Sequence, residues 1–210
     1  KLISNGKLYE CFETDEELKF QRKYQISSGI RPIYDRSALN LTKNQKQDYK
    51  DQGLKPYYRF LIDEKDVQWD DGVKGEIKFS GRHFSDPVLV RNDGSPTYTF
   101  CSVVDDIEFG ITDIIRGEDH ITNTAIQIKI FEALSAKLPN FSHLALIKAN
   151  EGKISKRIGG FDINNLRQEN LEPMAIINLL AQIGTSNDIV MYQNIQELST
   201  SFNLNKFSKS

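Results

Sequence analysis

The chain has 210 residues, 27 Lys and Arg against 29 Asp and Glu, a net charge of −2, and 39% hydrophobic residues. That length holds one large domain or two small ones, and the composition is that of an ordinary water-compatible protein. No apolar run approaches the roughly 18 residues of a membrane-spanning helix, no stretch has a signal-peptide pattern, and two cysteines, Cys11 and Cys101, are too few for a disulfide scaffold. Buried thiols in a reducing cytoplasm are the plainer reading. The charge is uneven. Residues 1–60 carry 12 Lys/Arg against 8 Asp/Glu and the remainder 15 against 21, so the first third is mildly basic and compatible with a nucleic-acid surface.

Thr14-Asp15-Glu16-Glu17 reads as a capping box, with Thr14 as N-cap and Glu17 reaching back, opening a helix that ends near Gly29. Thr42-Lys43-Asn44-Gln45 repeats the device before a second, very polar helix ending near Gly53. From Tyr57 the pattern turns to β: residues 57–62, 67–69, 76–79 and 87–90 are short runs separated by Asp70-Asp71-Gly72 and other turn signals. Asn92-Asp93-Gly94 makes a tight connection into a further extended run at 97–100.

Helices and strands then alternate. Helix 100–109 leads to strand 112–116, then helix 123–136 with Ile126, Ile130 and Leu134 stacked at i+4 steps, then a buried strand 141–147. This rhythm implies parallel pairing and an α/β layer. After Gly159-Gly160 the pattern is helical. Pro173 suits the first turn of a helix through Met174, Ile177 and Leu180 to Gly184, and Ile176, Leu179 and Ile183 on its other faces predict burial on most sides. Residues 196–201 form a last short helix, and no internal repeat or low-complexity stretch is present.

Three stretches carry chemistry. In Lys153-Ile154-Ser155-Lys156-Arg157, two lysines and an arginine surround a serine just after the turn-like Asn150-Glu151-Gly152. Such a loop places cations around a polyphosphate while backbone N–H groups and the serine hydroxyl fill the remaining acceptor sites; the bland alternative is a solvated turn. Arg116 closes the apolar run 111–115, at the C-terminal edge of a parallel strand, where open α/β sheets bind ligands. Its fork can grip a carboxylate bidentately or form an internal salt bridge with Asp105, Asp106, Glu118 or Asp119. In the third stretch, Pro96-Thr97-Tyr98 runs into Val103-Val104-Asp105-Asp106, and read by itself Tyr98 is a core aromatic in a strand. Asp105 and Asp106 are adjacent on a helix and point apart, which argues against a metal pair.

In order, Ser95-Pro96-Thr97-Tyr98 with Val103-Val104-Asp105-Asp106, then Arg116-Gly117-Glu118-Asp119-His120, then Lys153-Ile154-Ser155-Lys156-Arg157 resemble the SPTY…VVDD, RGEDH and KMSKS-type motifs of a bacterial-type glutamyl-tRNA synthetase, a class I aminoacyl-tRNA synthetase. The resemblance runs along nearly the whole chain, from Tyr9-Glu10-Cys11 and Arg31-Pro32-Ile33-Tyr34-Asp35 to Phe207-Ser208-Lys209-Ser210. It implies an α/β fold: the second half of a Rossmann-type nucleotide-binding domain (95–158), an inserted α+β acceptor-binding domain (1–94), and the start of a helical stem-contact region (159–210). It implies glutamate, ATP with Mg²⁺ and a tRNA acceptor stem as partners, no membrane, no DNA, and a cytoplasmic location. Lys156 is the implied catalytic lysine. Asp119, Leu146, Ile147, Lys153, Ser155, Lys156 and Arg157 are implied to bind ATP, Leu146 and Ile147 through their backbone, and Tyr98 and Arg116 to bind glutamate.

The sequence departs from that pattern in two places. None of its three histidines, His83, His120 and His143, lies in a HIGH-type motif, so the chain reads as an internal fragment, inactive alone. Some bacterial relatives also carry a zinc site in the inserted domain. Here Cys11 with Glu13 has no further thiol or imidazole around Arg36-Ser37-Ala38-Leu39-Asn40, and no structural zinc is expected. A glutaminyl-type enzyme, a tRNA-modifying paralogue and a non-catalytic acceptor-binding piece are the competing readings.

Overall fold

A computed structural model describes residues 1–149, 152–153 and 162–209. In chain order its regular elements are β1 (Leu8–Cys11), α1 (Asp15–Ser27), α2 (Lys43–Asp51), β2 (Tyr57–Phe60), β3 (Val67–Asp71), β4 (Gly75–Phe79), β5 (Val88–Val90), α3 (Tyr98–Glu108), β6 (Asp113–Gly117), α4 (Ile121–Leu134), β7 (Asn140–Leu144), β8 (Lys148–Ala149), β9 (Gly152–Lys153), α5 (Ile163–Gln168), α6 (Pro173–Gln182) and α7 (Ile195–Ser201). Two compact units form. The first comprises Lys1–Trp69, Lys78–Thr112 and Thr122–Pro139; the second comprises Asp70–Ile77, Asp113–Ile121 and Asn140–Ser210.

In the first unit β2 pairs antiparallel with β1 on one side and β5 on the other, the register slipping between Tyr58 and Arg59. Both capping boxes form. The Glu17 N–H donates to Thr14 Oγ1 at 3.2 Å and the Thr14 N–H to Glu17 Oε2 at 2.7 Å. Thr42 and Gln45 repeat the exchange at 3.3 and 2.9 Å. Without such caps, helices this polar would leave their first N–H groups unsatisfied. The core here gathers Tyr9, Cys11, Tyr34 and Ala38, with Leu18, Leu41, Tyr57 and Leu61 against them.

Residues 97–100 are not a strand. Tyr98 begins α3, whose N-cap is Thr97; the Thr97 hydroxyl donates instead to the Val88 carbonyl at 2.9 Å, tying the cap to β5. The aromatic and β-branched letters suggested extension, but once the Pro96 restraint is passed the chain turns helical. Helix α4 is buried over more of its surface than a single stripe, through Thr124, Ala125, Gln127, Ile128, Ile130 and Phe131. Its buried Lys129 reaches Asp63 at 2.7 Å, and Gln127 reaches the Ser102 hydroxyl at 2.6 Å.

The second unit holds β6, β7, the last two residues of β3 and the first three of β4; the strand order is β4-β3-β7-β6, with β7 parallel to both β3 and β6. β7 ends at Leu144 rather than at Ile147, because its partner β6 ends at Gly117, opposite Leu144. Pro173 occupies the first turn of α6 as expected. Burial of that helix on most sides does not occur: Ile177, Leu179, Leu180 and Ile183 are exposed, and its one buried residue is Asn178. The Asn178 amide donates to the Met174 and Tyr192 carbonyls and accepts the Tyr192 N–H, while Gln182 exchanges hydrogen bonds with Val190 at 2.8 Å. Two carboxamides thus hold the segment after α6, with little apolar cover.

Candidate active site

Arg116 is the next-to-last residue of β6, with His143 opposite it in the register of the parallel pair β6/β7. The edge of the strand was therefore foreseen correctly. The Arg116 guanidinium carbon lies 6.0 Å from the centre of the Phe141 ring, and its Nε–H donates to His143 Nε2 at 3.5 Å. Behind it sits a pair that sequence reading missed. His143 Nδ1 lies 2.5 Å from Asp71 Oδ2, and both side chains are 0% exposed. Burial raises the Asp71 carboxyl, but the imidazole hydrogen bond and N–H groups of Lys74, His143 and Val73 outweigh it and hold the group below its usual value.

The chain turns sharply past Arg116. Glu118–His120 forms a single 3₁₀ turn capped by Gly117. A Cβ on Gly117 would lie 2.6 Å from Asp119 Oδ1 and 2.9 Å from Leu146 Cδ2, so any larger residue would make these two side-chain tips move off the strand end. Glu118 is turned to Lys74, with Oε2 2.6 Å from Nζ. Gly117, Asp119 and Leu146 are thus brought together at the end of β6, one residue past Arg116. Leu146 and Ile147 follow the last residue of β7 and are partly solvent-exposed rather than buried aliphatics.

Tyr98 belongs to the first unit and is 56% exposed, which removes the core-aromatic reading. Lys153 is in β9, paired antiparallel with Lys148 of β8. Ser155, Lys156 and Arg157 lie outside the described residues. Of the two thiols, Cys11 is buried and Cys101 only partly so.

The region read for zinc holds a hydroxyl cluster. The Glu13 carboxylate accepts from the hydroxyls of Tyr34 at 2.6 Å, Tyr57 at 2.9 Å and Ser37 at 3.0 Å. Burial pushes the Cys11 thiol up to about 11, away from the thiolate a metal needs. Among the described residues no group of three or more His, Cys, Asp or Glu is placed to hold a metal ion.

A family model for the class I tRNA synthetases (E and Q), catalytic domain, matches residues 1–210. The chain belongs to that family. Its α/β architecture, with β3, β7 and β6 parallel, is accordingly the Rossmann-like catalytic fold of class I synthetases. It is 56% identical over 211 residues to glutamate–tRNA ligase 2 of Orientia tsutsugamushi (strain Boryong), covering 100% of this chain and 47% of that protein. It is 51% identical over 210 residues to glutamate–tRNA ligase 1 of Rickettsia felis, with the same coverage. A crystal structure of a glutamate tRNA ligase from Elizabethkingia meningosepticum in complex with its amino acid superposes with a TM-score of 0.85 at 28% identity, covering 100% of this chain and 47% of that one. This synthetase chain therefore spans about half the length of the relatives it matches.

Proposed function

We propose that the protein to which these residues belong joins glutamate to its tRNA through a glutamyl-adenylate, taking ATP as its magnesium complex, in the cytoplasm. Residues 1–94 serve as the inserted acceptor-binding domain, 95–158 as the second half of the nucleotide-binding domain, and 159–210 as the start of the stem-contact region. The observation that carries this reading is the strand end at Arg116. The Arg116 guanidinium lies against His143 at the carboxyl end of β6, and the next residue, Gly117, leaves room for Asp119 and Leu146, which supports a carboxylate site and a nucleotide site on adjacent residues of one strand end.

In the first step the α-carboxylate of glutamate attacks the α-phosphorus of ATP, forming a C–O–P link as the bond to the bridging oxygen breaks and pyrophosphate leaves. In the second step a ribose hydroxyl of the terminal tRNA nucleotide attacks the acyl carbon, AMP leaves, and the hydroxyl proton passes to solvent. Positioning and charge stabilisation supply most of such catalysis. Arg116 grips the side-chain carboxylate of glutamate and Tyr98 adds a hydrogen bond. Asp119 accepts from the ribose hydroxyls, Leu146 and Ile147 meet adenine through their backbone, and Lys153, Ser155 and Arg157 hold phosphates. Lys156 meets the charge that develops on the phosphate oxygens.

The test is pyrophosphate exchange by the full-length protein, with tRNA present, using glutamate or glutamine. Glutamate-dependent exchange and charging of tRNA are expected. Exchange driven by glutamine alone moves the reading to a glutaminyl enzyme, and none with either leaves an acceptor-binding protein.

A further inference from the structure

Three neighbouring strands deliver an acid, an imidazole and a guanidinium in a row. Asp71 ends β3, His143 lies within β7 and Arg116 near the end of β6, in the sheet order β3-β7-β6. Register partners on parallel strands project on the same face, so His143 and Arg116 leave the sheet together, and Phe141, two residues before His143, shares that face. Asp71 Oδ1 accepts the N–H groups of His143 at 3.0 Å and of Val73 and Lys74 at 3.1 Å each, and Oδ2 faces His143 Nδ1.

The direction of each hydrogen bond follows. A carboxylate only accepts, so Nδ1 carries the proton; a guanidinium only donates, so Nε2 accepts from the Arg116 Nε–H. With His143 and Asp71 fully buried, water does not compete for these bonds.

We propose that His143, oriented by Asp71, is a positioning residue that sets the rotation of the Arg116 guanidinium, committing Nε to the imidazole and directing the Nη edge to the substrate carboxylate. This rests on the reading of Arg116 as the carboxylate grip. An arginine side chain otherwise loses considerable rotamer freedom on binding, and a fork already fixed at Nε loses less. The competing role is purely mechanical: a His–Asp staple between β7 and the start of the β3–β4 turn.

The experiment uses full-length His143→Asn, His143→Gln, Arg116→Lys and the His143→Asn/Arg116→Lys double variant, measuring glutamate and ATP KM by pyrophosphate exchange together with melting temperature. Asparagine keeps a donor near Nδ1 but offers nothing at Nε2, whereas the glutamine carbonyl reaches the Nε2 position. His143→Asn is expected to raise the glutamate KM roughly tenfold, as for loss of a hydrogen bond to a charged group, with ATP KM nearly unchanged. His143→Gln recovers most of that loss, and the double variant is no worse than Arg116→Lys because the two act as one unit. An unchanged glutamate KM in His143→Asn, with a raised one in Arg116→Lys, overturns the positioning role and leaves the reading of Arg116 intact. No change in either variant overturns both. A lowered melting temperature with proportional rises in glutamate and ATP KM marks a staple and also overturns the proposal. Should His143→Asn fail to fold, Asp71→Asn carries the test. Its amide donates where the carboxylate accepted, inverts the tautomer and turns an N–H toward Arg116; a normal glutamate KM there overturns the proposal as well.

Discussion

The Arg36 guanidinium meets the fully buried Asp86 carboxylate through two nitrogens, Nε and Nη2, each at 3.0 Å from a different carboxylate oxygen. The same carboxylate accepts the Tyr9 hydroxyl at 2.6 Å and the Ile62 N–H at 3.1 Å, so four donors from three separate segments of the first unit converge on one side chain. Asp86→Ala removes the partner of the Tyr9 hydroxyl, the Ile62 N–H and Arg36 Nε at once, while Arg36 Nη2 keeps the Ile62 carbonyl at 2.7 Å. Removing one partner of a buried charge pair costs about 3–5 kcal/mol. Urea unfolding should show a loss of that size; a loss below about 1 kcal/mol would mean that water replaces the carboxylate at little cost.

Gly117→Ala probes the closure of Asp119 and Leu146. The backbone at Gly117, with φ of −67°, is one that any residue adopts, so the added methyl acts only by displacing the two side chains it would meet. The full-length variant should keep its melting temperature within a few degrees while ATP KM rises roughly tenfold, a shift of about 1.4 kcal/mol. An unchanged ATP KM would detach this turn from nucleotide binding.

Lys156→Ala in the full-length protein should lower the rate of exchange about 10²–10³-fold, or roughly 3–4 kcal/mol, with glutamate KM little changed. The physical reason is that a lysine serving developing phosphate charge stabilises the transition state more than the bound substrate. A near-normal rate would reduce the basic stretch to a solvated turn.

The Glu13 carboxyl gives the first unit a dependence on acid. Burial raises its pKa, but the hydroxyls of Tyr34, Tyr57 and Ser37 and a local backbone N–H outweigh burial and place it below the ordinary glutamate value. The unfolded chain then binds the proton more readily than the folded one. This contribution is complete above the unfolded value of about 4.3 and is lost as pH falls through the lower folded value. Stability followed from pH 6 to 3 should fall less steeply in Glu13→Gln than in the parent; identical slopes would assign the acid sensitivity elsewhere.

What the sequence could show was what depends on neighbours in the chain. The caps at Thr14 and Thr42, Pro173 at the start of α6 and the strand–helix–strand order leading to Arg116 are local or periodic signals, and the structure has them. Tyr98 was misplaced because aromatic and β-branched residues favour strands only where a neighbouring strand is available, and none pairs there. His143, in an apolar run, was noted only as lying outside a HIGH-type motif, and Asp71 was read as part of a turn. Their pairing spans 72 positions, and no short-range pattern announces it. The one available signal was an imidazole inside a strand otherwise buried, a group that must find a partner.

The open aliphatic flank of α6 bears on how the 210-residue piece behaves in a tube. Ile177, Leu179, Leu180 and Ile183, joined by Ile189, Val190 and Met191 just beyond, face water in a chain whose net charge of −2 supplies little mutual repulsion. Prepared separately, residues 1–210 should therefore stay dispersed only when dilute. Sulfate, which strengthens the burial of carbon, should drive clouding sooner than an equal ionic strength of chloride, and replacing Leu180 with lysine should delay it.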